Sequence, residues 1–337
     1  VKALSAHDCE ERLTVLRQVL PVVWLALAVL PVTPSVAEDY PARTVKIVVP
    51  FGAGGPTDVY TRAMAEELRK SLHQPFILEN RPGAGTTIGT DSVAKSEPDG
   101  YTLLMVSGTQ TVNESLFTRK PYELMRDLVP VAPLIDTDLV LVVHPSVPAK
   151  NLAELIALAK AKPGTLNYAS SGPGSNYHMA GELLKNLTGI DIVHVPYKGS
   201  TGARSDIISG QVQMMFDSVP TMASTIKAGL VRAIATTGKT RSAILPDVPT
   251  LNEAGISGYN ASLWVGLMAP VNTPKPIVEL LNREISKIQA NPQIKTEWEK
   301  QGAVPLTMTP DQFGTFMRAE IEKWAKVIKA NGIATIN

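Results

Sequence analysis

Cysteine is all but missing from this 337-residue chain: Cys9 is the single one, and it lies in a leader-like stretch at the N-terminal end. Without it, disulfides, thiolate nucleophiles and cysteine metal sites are excluded together. Aromatic residues are scarce at 5%, and charge of either sign is not in excess, the formal net charge being +1. No basic run and no aromatic-studded basic patch points to nucleic acid as a partner. After the leader, no apolar segment reaches the roughly 18 residues that a membrane span requires, so the remainder reads as soluble. Tandem repeats and low-complexity tracts are also absent.

The leader has a recognisable build. Lys2, Arg12 and Arg17 precede the apolar run VLPVVWLALAVLPV, and Ser35-Val36-Ala37 offers the small-x-small pattern of a signal peptidase site. The run is short for a spanning helix. Residues 1–37 are therefore expected to be a secretory signal cleaved before Glu38, and the protein is expected in the periplasm. Removing them takes as many basic as acidic residues, so net charge stays at +1, and the remainder is long enough for two domains.

Strand and helix patterns alternate along the rest. Short apolar runs at Val45–Val49, Phe76–Glu79, Thr102–Val106, Leu139–Val143, Asn167–Ser170, Asp191–Val195, Val212–Phe216, Val231–Thr236 and Leu263–Ala269 read as strands separated by helical periodicities. Such alternation implies α/β lobes with largely parallel sheets. The strands Leu139–Val143 and Val231–Thr236 bracket an apparent inserted unit. Lobe 1 is expected over 38–142 and 233–337, and lobe 2 over 143–232.

Two loops carry the chemistry. After Val45–Val49 the chain reads PFGAGGPTD, where Gly52, Gly54 and Gly55 permit positive φ and close backbone approach, and Pro56, Thr57 and Asp58 open a helix. After Asn167–Ser170 it reads SGPGSNYH, again a strand, a small flexible loop and a helix start. Unpaired amides and the helix dipole make each a potential anion site. Two such loops, one per lobe, can close on a small anion.

VVPFGAGGPTD, ENRPGAGTTIGT, DGYTLLM, NYASSGPGSNYHMAGELL, HVPYKGS, MMFDSVP, LPDVPTLNEAG and LWVGLMAP, in that order, resemble the periplasmic receptors of tripartite tricarboxylate transporters, the Bug proteins. The resemblance runs from about Tyr40 to the C-terminal helix. It implies a type 2 periplasmic-binding-protein fold: two α/β lobes, two crossing strands and a ligand cleft between, without catalysis. It further implies a small organic carboxylate as ligand, held largely by backbone amides, and membrane permease subunits as partners, with no cofactor. A monomer is expected. Carried onto this chain, the first-lobe loop comprises Phe51, Gly52, Ala53, Gly54, Gly55, Thr57 and Asp58. The second-lobe loop comprises Ser170, Ser171, Gly172, Gly174, Ser175 and His178.

Individual roles stay open on the sequence alone. Phe51 either lies against an apolar part of the ligand or plugs the interface. Asp58 either pairs with an ammonium group or braces its loop, the brace being the commoner use. His178 either donates to a carboxylate or supports the loop, and His194 reads as structural. Tyr197 and Lys198 follow one strand end, Asp217 ends another, and Thr109, Gln110 and Asn113 follow a third; each is either a ligand contact or an ordinary cap or loop residue. Neither His178 nor His194 has a second ligand at metal spacing, so no metal site is expected. Neither glycine loop contains arginine, which argues against a fixed bidentate clamp. The rival readings are an exported serine hydrolase using Ser171 or Ser175 with His178, and a carboxylate sensor of the same fold without a transporter.

Overall fold

The computed structural model describes residues 40–336. The expected signal sequence and its cleavage site lie outside the described residues. Among the described residues no helix is long and apolar enough to cross a membrane.

Ten strands join into one continuous mixed sheet. In chain order the elements are β1 (Val45–Val49), α1 (Pro56–Leu72), β2 (Phe76–Asn80), α2 (Thr87–Ala94), β3 (Thr102–Ser107), α3 (Gly108–Leu116), α4 (Leu124–Asp127), β4 (Leu128–Val143) and α5 (Leu152–Ala161). There follow β5 (Asn167–Ser170), α6 (Asn176–Thr188), β6 (Val193–Pro196), α7 (Ser200–Ser209), β7 (Met214–Ser218), α8 (Val219–Lys227) and β8 (Arg232–Thr236). The chain ends with β9 (Ser262–Pro270), α9 (Lys275–Ala290), α10 (Pro292–Lys300), β10 (Ala303–Pro305) and α11 (Pro310–Ala330). Strands β2, β1 and β3 run parallel, as do β6, β5 and β7, as expected of βα units.

The 16-residue β4 holds the two halves together. At about 3.3 Å per residue it spans roughly 50 Å. Its first part pairs antiparallel with β9 and β10, and its last five residues pair antiparallel with β7 and β8. Each half has its own core. Val48, Leu104, Val106, Trp264, Met268 and Phe313 form one. Val140, Val142, Ala169, Ile207, Met215 and Met222 form the other. The result is a mixed α/β architecture of two lobes.

The sheet is mixed rather than largely parallel, because β4 and β9 pair antiparallel with their neighbours, and three further features differ from the sequence reading. Leu128–Asp138 escaped it because Pro130 and Pro133 argue against a strand. The register against β9 slips at both prolines, and side chains of α9 meet the displaced carbonyls. Asn282 Nδ2 donates to Val131 O at 2.8 Å, and Gln289 Nε2 donates to Pro133 O and Leu134 O at 3.0 and 2.7 Å. Helix α3 replaces the expected polar loop at Thr109–Asn113; Ser107 and Gln110 form a capping box at its start.

The pairing also departs from the expected boundary at residue 232. Strand β8 lies against the second half of β4, Thr236 bridges to Thr250, and Leu245 packs on the second core. Tyr259 stacks on Phe216 and donates to Ala180 O at 2.7 Å. The run Val231–Thr236 lies beside the second half of β4, and Ile234, Ala235 and Thr236 are buried there. The chain reaches the first sheet only at β9, where Ser262 pairs with Asp138.

Candidate functional site

The first loop follows β1 and is open to solvent at Gly52, Ala53 and Gly54, with Phe51 and Gly55 half-buried. Gly54 has φ +80°, a left-handed conformation that glycine adopts without strain. No side chain caps α1, whose first residue is Pro56, so the amides of Thr57 and Asp58 at its N-terminus have no intrahelical partner. Asp58 is buried and turned back onto the loop. Its Oδ2 accepts from Gly54 N at 3.1 Å, and its Oδ1 accepts from Asn80 Nδ2 at 3.0 Å and Arg62 Nη2 at 3.1 Å. Asn80 Nδ2 also donates to Phe51 O at 3.1 Å. Burial works against ionisation of Asp58, but the donors from Asn80, Gly54 and Arg62 outweigh it and hold the carboxyl below its usual range.

The second loop follows β5 and is more enclosed. Ser170, Gly172, Gly174, Ser175 and His178 are buried, and Ser171 is half-buried. Ser175 Oγ caps α6 by accepting from His178 N at 3.3 Å. His178 Nδ1 accepts from Gly174 N at 3.1 Å, which leaves its ring proton on Nε2. Its ring stacks on that of His194 at 3.9 Å, and His194 stacks on Tyr168 at 5.0 Å. His194 Nε2 lies 2.6 Å from Ser170 Oγ, which also accepts from Gly172 N at 3.1 Å. Burial lowers the His178 pKa to about 4; burial, reinforced by His178, lowers that of His194 to about 3. Two neutral imidazoles thus brace this loop.

The second loop also meets the first lobe. A Cβ on Gly174, whose φ is +74°, would stand 2.7 Å from Leu116 Cδ2 on α3. Asn176 Nδ2 donates to Ser262 O at 2.9 Å, and Thr109 Oγ1 donates to Asn176 Oδ1 at 3.3 Å. Thr109 is thereby brought to the second loop. Asn113 instead holds the 83–86 turn, donating through Nδ2 to Gly85 O at 2.6 Å.

Tyr197 and Asp217 turn inward within their lobe. The Tyr197 hydroxyl donates to Asp206 Oδ2 at 2.5 Å, and burial followed by Asp206 pushes its pKa up to about 12. Its main-chain N bonds Ser170 O at 3.1 Å. Asp217 is fully buried. Its Oδ2 accepts from Arg204 Nε at 2.6 Å, and its Oδ1 from Ser218 N at 2.7 Å and Thr221 Oγ1 at 3.1 Å. Burial raises its pKa, against the lowering effect of Arg204. Asn80, Asn176 and Arg204 escaped the sequence reading, because each is identified by a partner distant along the chain. Arg204 and Asp217 meet only through the α7–β7 turn.

Two further carboxylates, Asp136 and Asp138, sit on β4 just before its pairing passes from β9 to β7 and β8. Burial, with Glu320 adding repulsion, raises the Asp136 pKa to about 6; burial, with Asp136 adding repulsion, raises that of Asp138 to about 6.

The arrangement lacks the parts of a hydrolase. Ser175 Oγ receives the His178 main-chain amide, while the His178 ring faces Gly174 N. The serine that does meet an imidazole, Ser170, has no exposed surface. Among the described residues, no three His, Cys, Asp or Glu side chains are grouped to hold a metal.

Two lobes joined by a strand that runs through both, each ending a parallel strand in a glycine loop and a helix start, define a solute-binding receptor rather than an enzyme. The family model described as "Tripartite tricarboxylate transporter family receptor" matches residues 60–333, and the chain belongs to that family. The chain is similar to protein BugT of Bordetella pertussis, 41% identical with 89% of this chain and 92% of BugT covered. Among solved structures it is similar to R. palustris Rpa4515 with adipate, at 34% identity and TM-score 0.83, covering 88% of this chain and 100% of that one. The periplasmic binding protein BugD aligns at 33% identity and TM-score 0.80, with 88% and 100% coverage. The protein is accordingly a periplasmic solute-binding receptor, not an enzyme.

Proposed function

We propose that this receptor captures a small organic carboxylate between the loops at 51–58 and 170–178, closes its lobes over it, and presents it to the membrane permease subunits of a tripartite transporter. The observation that carries this reading is the uncapped start of α1 with exposed Gly52–Gly54 beside it; a second glycine loop, after β5, likewise leads into a helix start. The uncapped amides at the start of α1, on a loop that Asp58 already holds in shape, need no reorganisation to replace the water around a carboxylate, and closure strengthens each bond by excluding solvent. The adipate bound by Rpa4515 supports the ligand class. In this reading lobe 1 comprises 41–138 and 260–336, lobe 2 comprises 139–259, and closure bends the chain at Asp138 and Ser262. The receptor acts as a monomer after loss of residues 1–37.

A thermal-shift screen of the refolded, ligand-stripped protein tests this. The panel holds mono-, di- and tricarboxylates and amino acids, each beside its ester or amide. A ligand at about 100 times its Kd stabilises by roughly 2.7 kcal/mol, a shift of a few degrees in a chain this size. Shifts with free acids that vanish on esterification are expected. Equal shifts with acids and esters would rule out amide capture of the carboxylate.

A further inference from the structure

The stacked rings behind the second loop end on a charge that lies outside that loop. Glu182 stands on α6, one turn after His178, with its side chain 3% exposed. Its Oε1 accepts from Tyr168 Oη at 2.7 Å and Lys185 Nζ at 2.9 Å, and stands 3.9 Å from His178 Nε2. At that distance the carboxylate acts on the ring as a charge rather than as an acceptor. Burial opposes ionisation of Glu182, but Tyr168, Asn331 and Lys185 outweigh it and hold its pKa below the usual range.

Both ends of the His178 ring therefore demand the same proton. Nδ1 accepts from Gly174 N, and a proton on Nδ1 would oppose that amide. Nε2 faces Glu182, and a lone pair there would oppose the carboxylate. The Nε2–H tautomer satisfies both. His194, stacked on the same ring, meets Ser170 Oγ, which receives Gly172 N. The amides of Gly172 and Gly174 thus set the shape of the loop, while those of Asn176 and Tyr177 at the start of α6 keep no intrahelical partner.

Glu182 is itself fastened from the far end of the chain. Asn331, the residue after α11, donates through Nδ2 to Glu182 Oε2 at 2.8 Å and to Glu182 O at 2.6 Å. Helix α11 puts Phe313 and Met317 into the first core, and Ile336 pairs with Leu116 and Thr118 just after α3. The last residues of the chain thus join α6 to the half of the molecule that holds the first loop.

We propose that Glu182 and Asn331 are positioning residues for ligand capture. Glu182 holds His178 in the tautomer that shapes the second loop, and Asn331 makes that hold depend on the C-terminal segment of the other half. The proposal rests on the carboxylate reading above and names residues outside both loops that set the affinity. A buried polar network acts as a unit, so the loss of one member is felt at the next.

Two measurements on the ligand-stripped protein test this, each variant first checked for folding by circular dichroism. Proton–nitrogen correlation NMR of the imidazoles at pH 7 reads the His178 tautomer, and amide exchange reads Gly174 N. Wild type is expected to show the Nε2–H form alone, with Gly174 N protected. Glu182→Gln keeps the size of the side chain but removes its charge. It is expected to admit the Nδ1–H form and to speed Gly174 exchange about tenfold. Isothermal titration calorimetry with the free acids of the panel above reads affinity. For the acid that wild type binds most tightly, Glu182→Gln is expected to weaken binding about tenfold and Asn331→Ala about threefold. Asn331→Asp is expected to weaken it more than Asn331→Ala does, because a second carboxylate then faces Glu182. An unchanged tautomer and unchanged Gly174 exchange in Glu182→Gln overturn the role of Glu182, as does an altered tautomer with wild-type affinity. Wild-type affinity in Asn331→Asp overturns the role of Asn331. Those results leave carboxylate capture standing; wild type that binds none of the acids overturns capture and this proposal together.

Discussion

The loops at 51–58 and 170–178 share a preceding parallel strand, glycines at positive φ and a following helix, yet opposite chemistries brace them. In the first, an anion does it: Asp58 gathers the Gly54 amide, Asn80 and Arg62, and the loop tip stands in solvent. In the second, two stacked neutral imidazoles do it, and the loop packs against α3 of the other lobe. A charged brace tolerates solvent because water helps to stabilise it. A neutral aromatic brace suits a buried loop because it has no charge to desolvate. One backbone motif is thus built once for exposure and once for enclosure.

The largest expected contrast comes from alanine at matched glycines. Gly54 and Gly174 have φ of +80° and +74°, but a Cβ meets nothing within 4 Å at Gly54 and lies 2.7 Å from the buried Leu116 at Gly174. Gly54→Ala is expected to cost about 1 kcal/mol for left-handed strain alone, and Gly174→Ala about 3 kcal/mol with overpacking added. Urea unfolding measures both; equal costs would refute the difference in enclosure.

His178→Gln comes next. It removes the acceptor placed for Gly174 N and is expected to cost about 1–2 kcal/mol at pH 7. Its pH dependence sharpens the comparison. The folded pKa of about 4 lies below the ordinary 6.5, so the neutral ring's stabilisation is present above pH 6.5 and lost as pH falls through 4. Stability of wild type measured across that window is expected to fall more steeply than that of the variant. An unchanged slope would mean that His178 is not held neutral.

The carboxylates where β4 changes lobes give the opposite sign. Asp136 is raised to about 6 from 3.8, so the stability linked to its proton is present below about pH 4 and lost as pH rises through 6. Asp136→Asn is expected to gain about 1 kcal/mol at pH 7 and nothing at pH 4. A loss at pH 7 would show that the charged form is favoured there. Arg62→Ala is the smallest change: with Arg62 mostly exposed, less than about 1 kcal/mol is expected, and Asn80 and Gly54 keep Asp58 in place. A loss of 2 kcal/mol or more would make Arg62 a principal brace.

Much of the site was legible because it is local. Strand β1, the glycines after it and the proline-led start of α1 lie within a dozen residues, as do β5 and the Ser175 cap. Helix α3 was legible too, through Ser107 and Gln110 at capping-box spacing, but the threonines of GTQTVN masked it. The first half of β4 was hidden by Pro130 and Pro133; the carbonyls of Val131 and Pro133 there are met by Asn282 and Gln289, some 150 residues away. Strand β8 pairs with the second half of β4, and burial in one sheet and passage between two leave the same apolar run in the sequence.

By itself the sequence determined where φ must turn positive, where helices start and which family the chain resembles, since steric limits and capping act over a few neighbouring residues. Only the tertiary structure decided that Asp58 meets Asn80, that Asp217 holds Arg204, that His178 and His194 stack, and that Asn176 ties the second loop to Ser262. Those contacts join residues on different strands and helices, and they form only when burial makes an unpartnered charge or amide too costly to leave alone.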